Sequence, residues 1–242
     1  MPDKRTHRGA HPEDAELFAP RHHDAMRAAV ADLSWLLSRA YASPSAVKVV
    51  GDRYGLSARQ RTAVMRCACS DAALSSRLAR QVSIEQLRGG TLLIDGYNVL
   101  TTVEVALGGG WVLAARDTAF RDMASMHGTF RKVEETVPAT ELVGRTLAEI
   151  GAERCVWYLD QPVSNSGRLR GVISEIVAAR GWVWDVEIVM NPDAVLIAAA
   201  DAVVASADSV VMDGCARWVN LAREVVTRHV PTAAVLDLSD GA

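Results

Sequence analysis

The sequence lacks the signatures that assign many enzymes at sight. It has no G-x-x-x-x-G-K-[ST] loop to cradle nucleotide phosphates and no G-x-S-x-G turn to present a nucleophilic serine. A dinucleotide-binding fold needs a glycine-rich turn after its first strand. Asp95-Gly96-Tyr97-Asn98 stands in that place, and an acid there repels pyrophosphate. A dehalogenase-type phosphatase needs a second aspartate at position 97, which holds Tyr97. Cysteine is scarce: Cys67, Cys69, Cys155 and Cys215 form a C-x-C pair and two distant singles, neither a zinc pattern nor a disulfide framework, so reduced buried thiols are expected. No apolar run reaches the ~18 residues needed to span a bilayer, and the richest stretch, 194–207, is interrupted by Asp201. The polar, charged start is unlike a signal peptide. The expectation is a soluble cytoplasmic protein with no membrane partner.

What is present is apolar mass and unevenly placed charge. Half of the 242 residues are hydrophobic, enough for one large domain or an ordinary one plus a smaller one. The formal charge of −3 divides into +5 over residues 1–90 and −8 over residues 91–242. A basic front suits a polyanion, and an acidic back suits a metal ion.

Along the chain, residues 1–20 read as a flexible arm anchored at Leu17 and Phe18. Residues 21–88 read as a small helical domain: helices over 22–42 and Ser45–Tyr54, a break at Gly55, and a third helix capped by Ser57 and reaching Ser70. This spacing suggests a helix-turn-helix, with Arg59, Arg61 and Arg66 as candidate nucleic-acid contacts. From 91 to 242 the texture changes. Strands are expected at Thr91–Ile94, Cys155–Leu159, Val183–Val189, Ala202–Ser206 and Ala234–Leu238. Helices are expected over 117–133, 138–150, Ser166–Arg180, Pro192–Asp201 and 209–229. Thr101–Ala106 and Trp111–Ala115, flanking Gly108-Gly109-Gly110, read as a hairpin or a glycine-hinged loop. Strands alternating with helices imply an α/β fold with a parallel sheet.

Ligands of such a sheet bind beyond the carboxyl ends of its strands. The first strand ends in Asp95 and the second in Asp160, while Asp193 and Asp208 follow the third and fourth. A single aspartate after a strand is ordinary turn chemistry, and Asn191-Pro192-Asp193 is also a good helix start. Four converging carboxylates are different. Two of them ~4 Å apart repel by about 4 kcal/mol at an effective dielectric near 20, so a cluster raises its own pKa values or holds a cation. Mg²⁺ or Mn²⁺ is the expected cofactor. Ser164-Asn165-Ser166-Gly167-Arg168 opens the helix after Asp160, where small hydroxyls and an arginine can receive phosphate. Arg121 and Asp122 are within reach of the site, but an exposed helix laced with ion pairs is the reading their segment favours.

The segment Leu92–Leu100, LLIDGYNVL, resembles the opening strand of PIN/NYN-type nucleases, and Asn191-Pro192-Asp193 and Ala205-Ser206-Ala207-Asp208 resemble two later acid-bearing segments of that superfamily. The resemblance implies metal binding by Asp95, Asp160 and Asp208, a supporting Asn98, and a PIN-like three-layer α/β/α fold of about five parallel strands in the order 3-2-1-4-5. The chain departs from the pattern after Asp208, where Ser209 and Val210 replace a further acid. DLSWLLSR (32–39), VGDRYGLSARQR (50–61), DGYNVL (95–100) and PVSNSGRL (162–169) also resemble the family called domain of unknown function 434. The function expected is metal-dependent hydrolysis of RNA with Asp95, Asp160, Asp193 and Asp208 as catalytic residues. Asn98, Ser164, Asn165, Ser166 and Arg168 would contact phosphate. Nucleic acid, RNA before DNA, is the expected partner, and a homodimer is compatible. The alternative is a catalytically degenerate PIN-like protein that binds nucleic acid.

Overall fold

The computed structural model describes residues 7–124 and 130–239. The front of the chain is helical: α1 (Asp14–Leu17), α2 (His23–Ser38), α3 (Ser43–Arg53), α4 (Ala58–Cys67) and α5 (Asp71–Arg80). Ser57 starts α4 through a capping box. Its hydroxyl accepts from Gln60 N at 3.3 Å while Gln60 Oε1 accepts from Ser57 N at 3.0 Å. Helix α2 buries Met26, Ala29, Val30 and Leu33, the one-sided spacing of an amphipathic helix. Of the expected arm, residues 1–6 lie outside the described residues. Farther on, Phe18 is completely buried and Arg8 pairs with the buried Glu104.

Strands and helices then alternate: β1 (Thr91–Asp95), α6 (Gly96–Leu107), β2 (Trp111–Ala114), β3 (Phe120–Asp122), α7 (Thr136–Ile150), β4 (Arg154–Asp160), α8 (Ser166–Arg180), β5 (Trp184–Val189), α9 (Pro192–Ala198), β6 (Val203–Ala205), α10 (Ser209–Gly214), β7 (Trp218–Val219), α11 (Leu221–His229) and β8 (Ala234–Asp237). The main sheet has the order β5-β4-β1-β6-β7, with every pairing parallel. Leu92 and Ile94 of β1 face a core shared with α6, α7, α8 and α11. Leu93, one residue out of phase, faces α9 and α10 through Leu196, Val211 and Met212. Both faces are thus covered, as a parallel sheet requires. Among the described residues no helix is long and apolar enough to cross a membrane.

The strand order differs from expectation at one edge. The fifth place belongs to Trp218–Val219, inside a stretch expected to be helical. Trp218 is completely buried, and its indole N–H donates to the Arg77 carbonyl at 2.8 Å. The expected fifth strand joins a second sheet instead, of order β3-β2-β8, where β8 runs parallel to β2. Leu236 and Leu238 there pack with the apolar faces of α2, α3 and α4, so the front helices and the small sheet share one core.

Two further expectations are corrected. Thr101–Ala106 belongs to α6, which Asp95 caps, and only Trp111–Ala114 of the proposed pair is a strand. The expected 117–133 helix is replaced in its first part by an antiparallel hairpin of β2 and β3. Thr118 turns it in the left-handed region (φ 69°), with Thr118 N donating to Ala115 O and Ala115 N to Ala119 O. Residues 125–129 of that expected helix lie outside the described residues.

Candidate functional site

β1 delivers Asp95 to the carboxyl edge of the sheet, where its Oδ1 accepts from Asn98 N at 3.4 Å and caps α6. The strand can pass directly into a helix here because residue 96 is glycine. A Cβ on Gly96 would stand 2.7 Å from Tyr158 O and 2.6 Å from the Leu159 side chain. β6 ends beside β1, with Ala205 opposite Ile94, and brings Ser206 and Asp208 to the same edge. Ser206 Oγ donates to Asp95 Oδ2 at 2.7 Å and accepts from Asp208 N at 3.0 Å. Asn98 Oδ1 accepts from Ala207 N at 2.8 Å, fastening the β6 end to α6. Asp208 then caps α10 by accepting from Val210 N at 2.8 Å.

Asp193 lies in the first turn of α9, behind the Asn191 cap and Pro192. Asp160 ends β4, half-buried. The carboxylates sense one another. Burial, together with the charges of Asp208 and Asp193, pushes Asp95 up to about 7, against the lowering hydrogen bond from Ser206. Burial and Asp208 raise Asp193 above the usual carboxylate range, and burial and Asp193 raise Asp160. Asp193 therefore couples electrostatically to both Asp160 and Asp208.

Asp95, Asn98, Asp193 and Asp208 line one cavity of about 520 Å³. Asp160 is not among its lining residues. Among the described residues, no three or more His, Cys, Asp or Glu side chains are grouped closely enough to hold a metal ion by themselves. Any cation here would rest on fewer protein carboxylates, with water and substrate completing its shell, a habit of Mg²⁺.

Arg121, Asp122 and Arg66 also line the cavity. Arg121 and Asp122 are buried on β3, not exposed on a helix. Asp122 Oδ2 accepts from the Thr101 and Thr102 hydroxyls at 3.2 and 3.0 Å, and its Oδ1 accepts from Ala124 N at 2.8 Å. Arg121 makes two hydrogen bonds to Asp117, at 2.8 and 2.7 Å, and donates through Nε to Ala207 O at 2.8 Å, bracing the loop that carries Asp208. Only the hidden hairpin prevented a sequence assignment of Asp122, since nothing in its neighbourhood has a strand-like period.

The candidate phosphate loop is engaged elsewhere. Asn165 adopts a left-handed conformation (φ 71°) and donates through Nδ2 to Phe130 O at 3.0 Å. Ser166 is buried, meets Tyr97 OH at 2.6 Å and donates to the carbonyls of Asp160 and Val163. Ser164 and Arg168 are exposed, and none of the four lines the cavity. Of the three candidate arginines of α4, Arg59 is bound to the buried Asp14, and Arg61 bonds Asp52 and the Leu56 carbonyl. Arg66 alone of these reaches the cavity.

Residues 84–224 match the family described as "Domain of unknown function (DUF5616)", and residues 25–80 match "Protein of unknown function (DUF434)". "Uncharacterized protein MJ0935" of Methanocaldococcus jannaschii is 30% identical over 181 residues, covering 75% of this chain and 86% of that protein. No solved structure matches the chain. The first match takes in the whole carboxyl edge with its four aspartates, and by its extent the chain belongs to the family of domain of unknown function 5616.

Proposed function

We propose that this chain is a metal-dependent nuclease of PIN/NYN-like type that hydrolyses phosphodiester bonds, with RNA as its substrate. One observation carries the reading. A buried carboxylate at the end of the central strand, Asp95, is pushed up to about 7 among like charges that open into a common cavity. Keeping such a group unpaired has a standing electrostatic cost that a cation would remove.

The donor set suits a hard divalent ion. It offers carboxylate oxygens and backbone-anchored hydroxyls, with no thiolate or imidazole among the described residues of its lining. Asp95 and Asp208 would hold a Mg²⁺ or Mn²⁺ ion in the cavity and Asp193 would orient water, while Asp160, outside the cavity lining, would serve only a second ion. When bound, such an ion lowers the pKa of water and offsets charge on the phosphoryl oxygens. The chain's own groups do the rest. Ser206 and the Asn98 amide fix both oxygens of Asp95. Asn98 and Arg121 hold Ala207 from two sides, so Asp208 is presented by a rigid loop. Asp193, above the ordinary carboxylate range, is suited to accept a proton from water.

Purified chain with Mn²⁺ is expected to cleave end-labelled RNA, and Asp95→Asn to lower the rate by at least about a hundredfold with an unchanged circular dichroism spectrum. Equal cleavage by the variant removes the assignment. A second reading, a non-hydrolytic nucleic-acid binder, is favoured by Ser209 and Val210 after Asp208 and by the absence of a grouped three-ligand set among the described residues. Salt-sensitive RNA binding with no Mn²⁺ uptake in calorimetry would select it.

A further inference from the structure

We infer that Arg66, carried by α4 of the front helices, is the phosphate-binding cation of the carboxylate cavity, a role that rests on the nuclease reading above. Asp95, Asp122, Asp193 and Asp208 line the cavity, and among the described residues only two arginines stand with them. A phosphodiester approaching those carboxylates is repelled unless a cation meets it. Arg121 is a poor candidate. It is buried, its Nη1 and Nη2 are both bound to Asp117, and its Nε is committed to the Ala207 carbonyl. Its charge is already offset and its donors are in use.

Arg66 differs in exposure and in free donors. It leaves the last turn of α4, and 31% of its side chain is exposed. Its Nη1 donates to the backbone carbonyl of Asp122. The Asp122 carboxylate lies 3.9 Å away, an ion pair that is beyond hydrogen-bond distance and takes up none of the guanidinium's donors. No hydrogen bond occupies Nε or Nη2 among the described residues. The guanidinium is therefore oriented by one bond to a rigid strand and retains donors for a ligand, the planar fork that suits a phosphate. Neighbouring Met65 is 46% exposed and lines the same cavity, giving the ligand an apolar surface beside the charge. The front helices thus complete the site. A nucleic-acid reader built separately on α4 is disfavoured, since Arg59 and Arg61 are spent on Asp14 and Asp52.

The test uses the full chain, its Arg66→Ala and Arg66→Lys variants, and a fluorescently labelled 12-nucleotide oligouridylate. Affinity is read by anisotropy in EDTA buffer, so that the RNA is bound but not cleaved, from 50 to 300 mM KCl. Arg66→Ala is expected to weaken binding about tenfold and to make the plot of log affinity against log salt shallower by about 0.7, one phosphate contact on a single strand. Arg66→Lys should recover the slope and part of the affinity. Equal affinity and slope for Arg66→Ala overturns the proposal. So does a loss of affinity at unchanged slope with a matching fall in thermal midpoint in both variants, because Arg66 would then only anchor β3 to α4. No binding by the wild-type chain overturns it as well. Asp95→Asn separates the two ideas: cleavage by that variant sinks the nuclease reading, whereas the Arg66 result is a binding slope that needs no turnover.

Discussion

The Asp95 carboxylate caps α6, accepts the Ser206 hydroxyl and lies under the field of Asp208 and Asp193. Its proton leaves near pH 7 in the folded chain and near 3.9 in an unfolded one. Between those values the native state binds more protons than the unfolded state, so stability falls as pH rises through the window. The loss from this group is complete above pH 7 and amounts to at most about 4 kcal/mol. Asparagine keeps the cap and a partner for Ser206 but cannot ionise. In EDTA at pH 8, Asp95→Asn should therefore unfold at a higher urea concentration than wild type, and the two should converge at pH 4. A variant less stable at pH 8 would mean that the native carboxylate is not strained. Of the residues at this edge, Asp95, Asp160 and Asp208 were legible as strand-end acids, because a short apolar run fixes where a strand stops. Asp122 was not, because its strand has only three residues and its sequence is charged.

The β2–β3 hairpin and α6 show where pattern reading fails. From Val99 to Ala106 every residue of α6 is buried, so no polar face marks a helical period, and its Thr and Val residues give it the texture of a strand. The hairpin failed in the opposite sense. Asp117 and Arg121 are four apart with opposite charge, the signature of an exposed helical pair, yet both are buried and bonded across the turn. Asp117 also receives Arg77 at 2.6 Å, and Arg77 grips Asp213 of α10 at 2.7 and 2.8 Å. This network ties α5, the hairpin and α10 together behind the Asp208 loop. Asp117→Asn leaves the buried Arg121 guanidinium without its carboxylate and Arg77 with Asp213 alone, and such losses cost about 3–5 kcal/mol. Urea unfolding of that variant should show a loss of this size. A change below about 1 kcal/mol would mean that the network does not brace the loop.

Across the whole molecule, the uneven charge has a second explanation besides a polyanionic partner. Arg77 of the basic front pairs with Asp117 and Asp213 of the acidic back, and Arg66 bonds the Asp122 carbonyl. The front helices and the small sheet also share one apolar core, joined through Leu113, Leu236 and Leu238. Strand alternation signalled the α/β class, but no local pattern reports that β8, more than a hundred residues after β2, pairs with it and not with the main sheet. The consequence is a cavity at the junction, with carboxylates from the sheet edge and a cation from α4. The most direct test is a crystal of the full chain soaked in Mn²⁺ and measured at the manganese absorption edge. The account predicts an anomalous peak in that cavity about 2.1 Å from carboxylate oxygens of Asp95 and Asp208. A saturated soak with no peak there would contradict it.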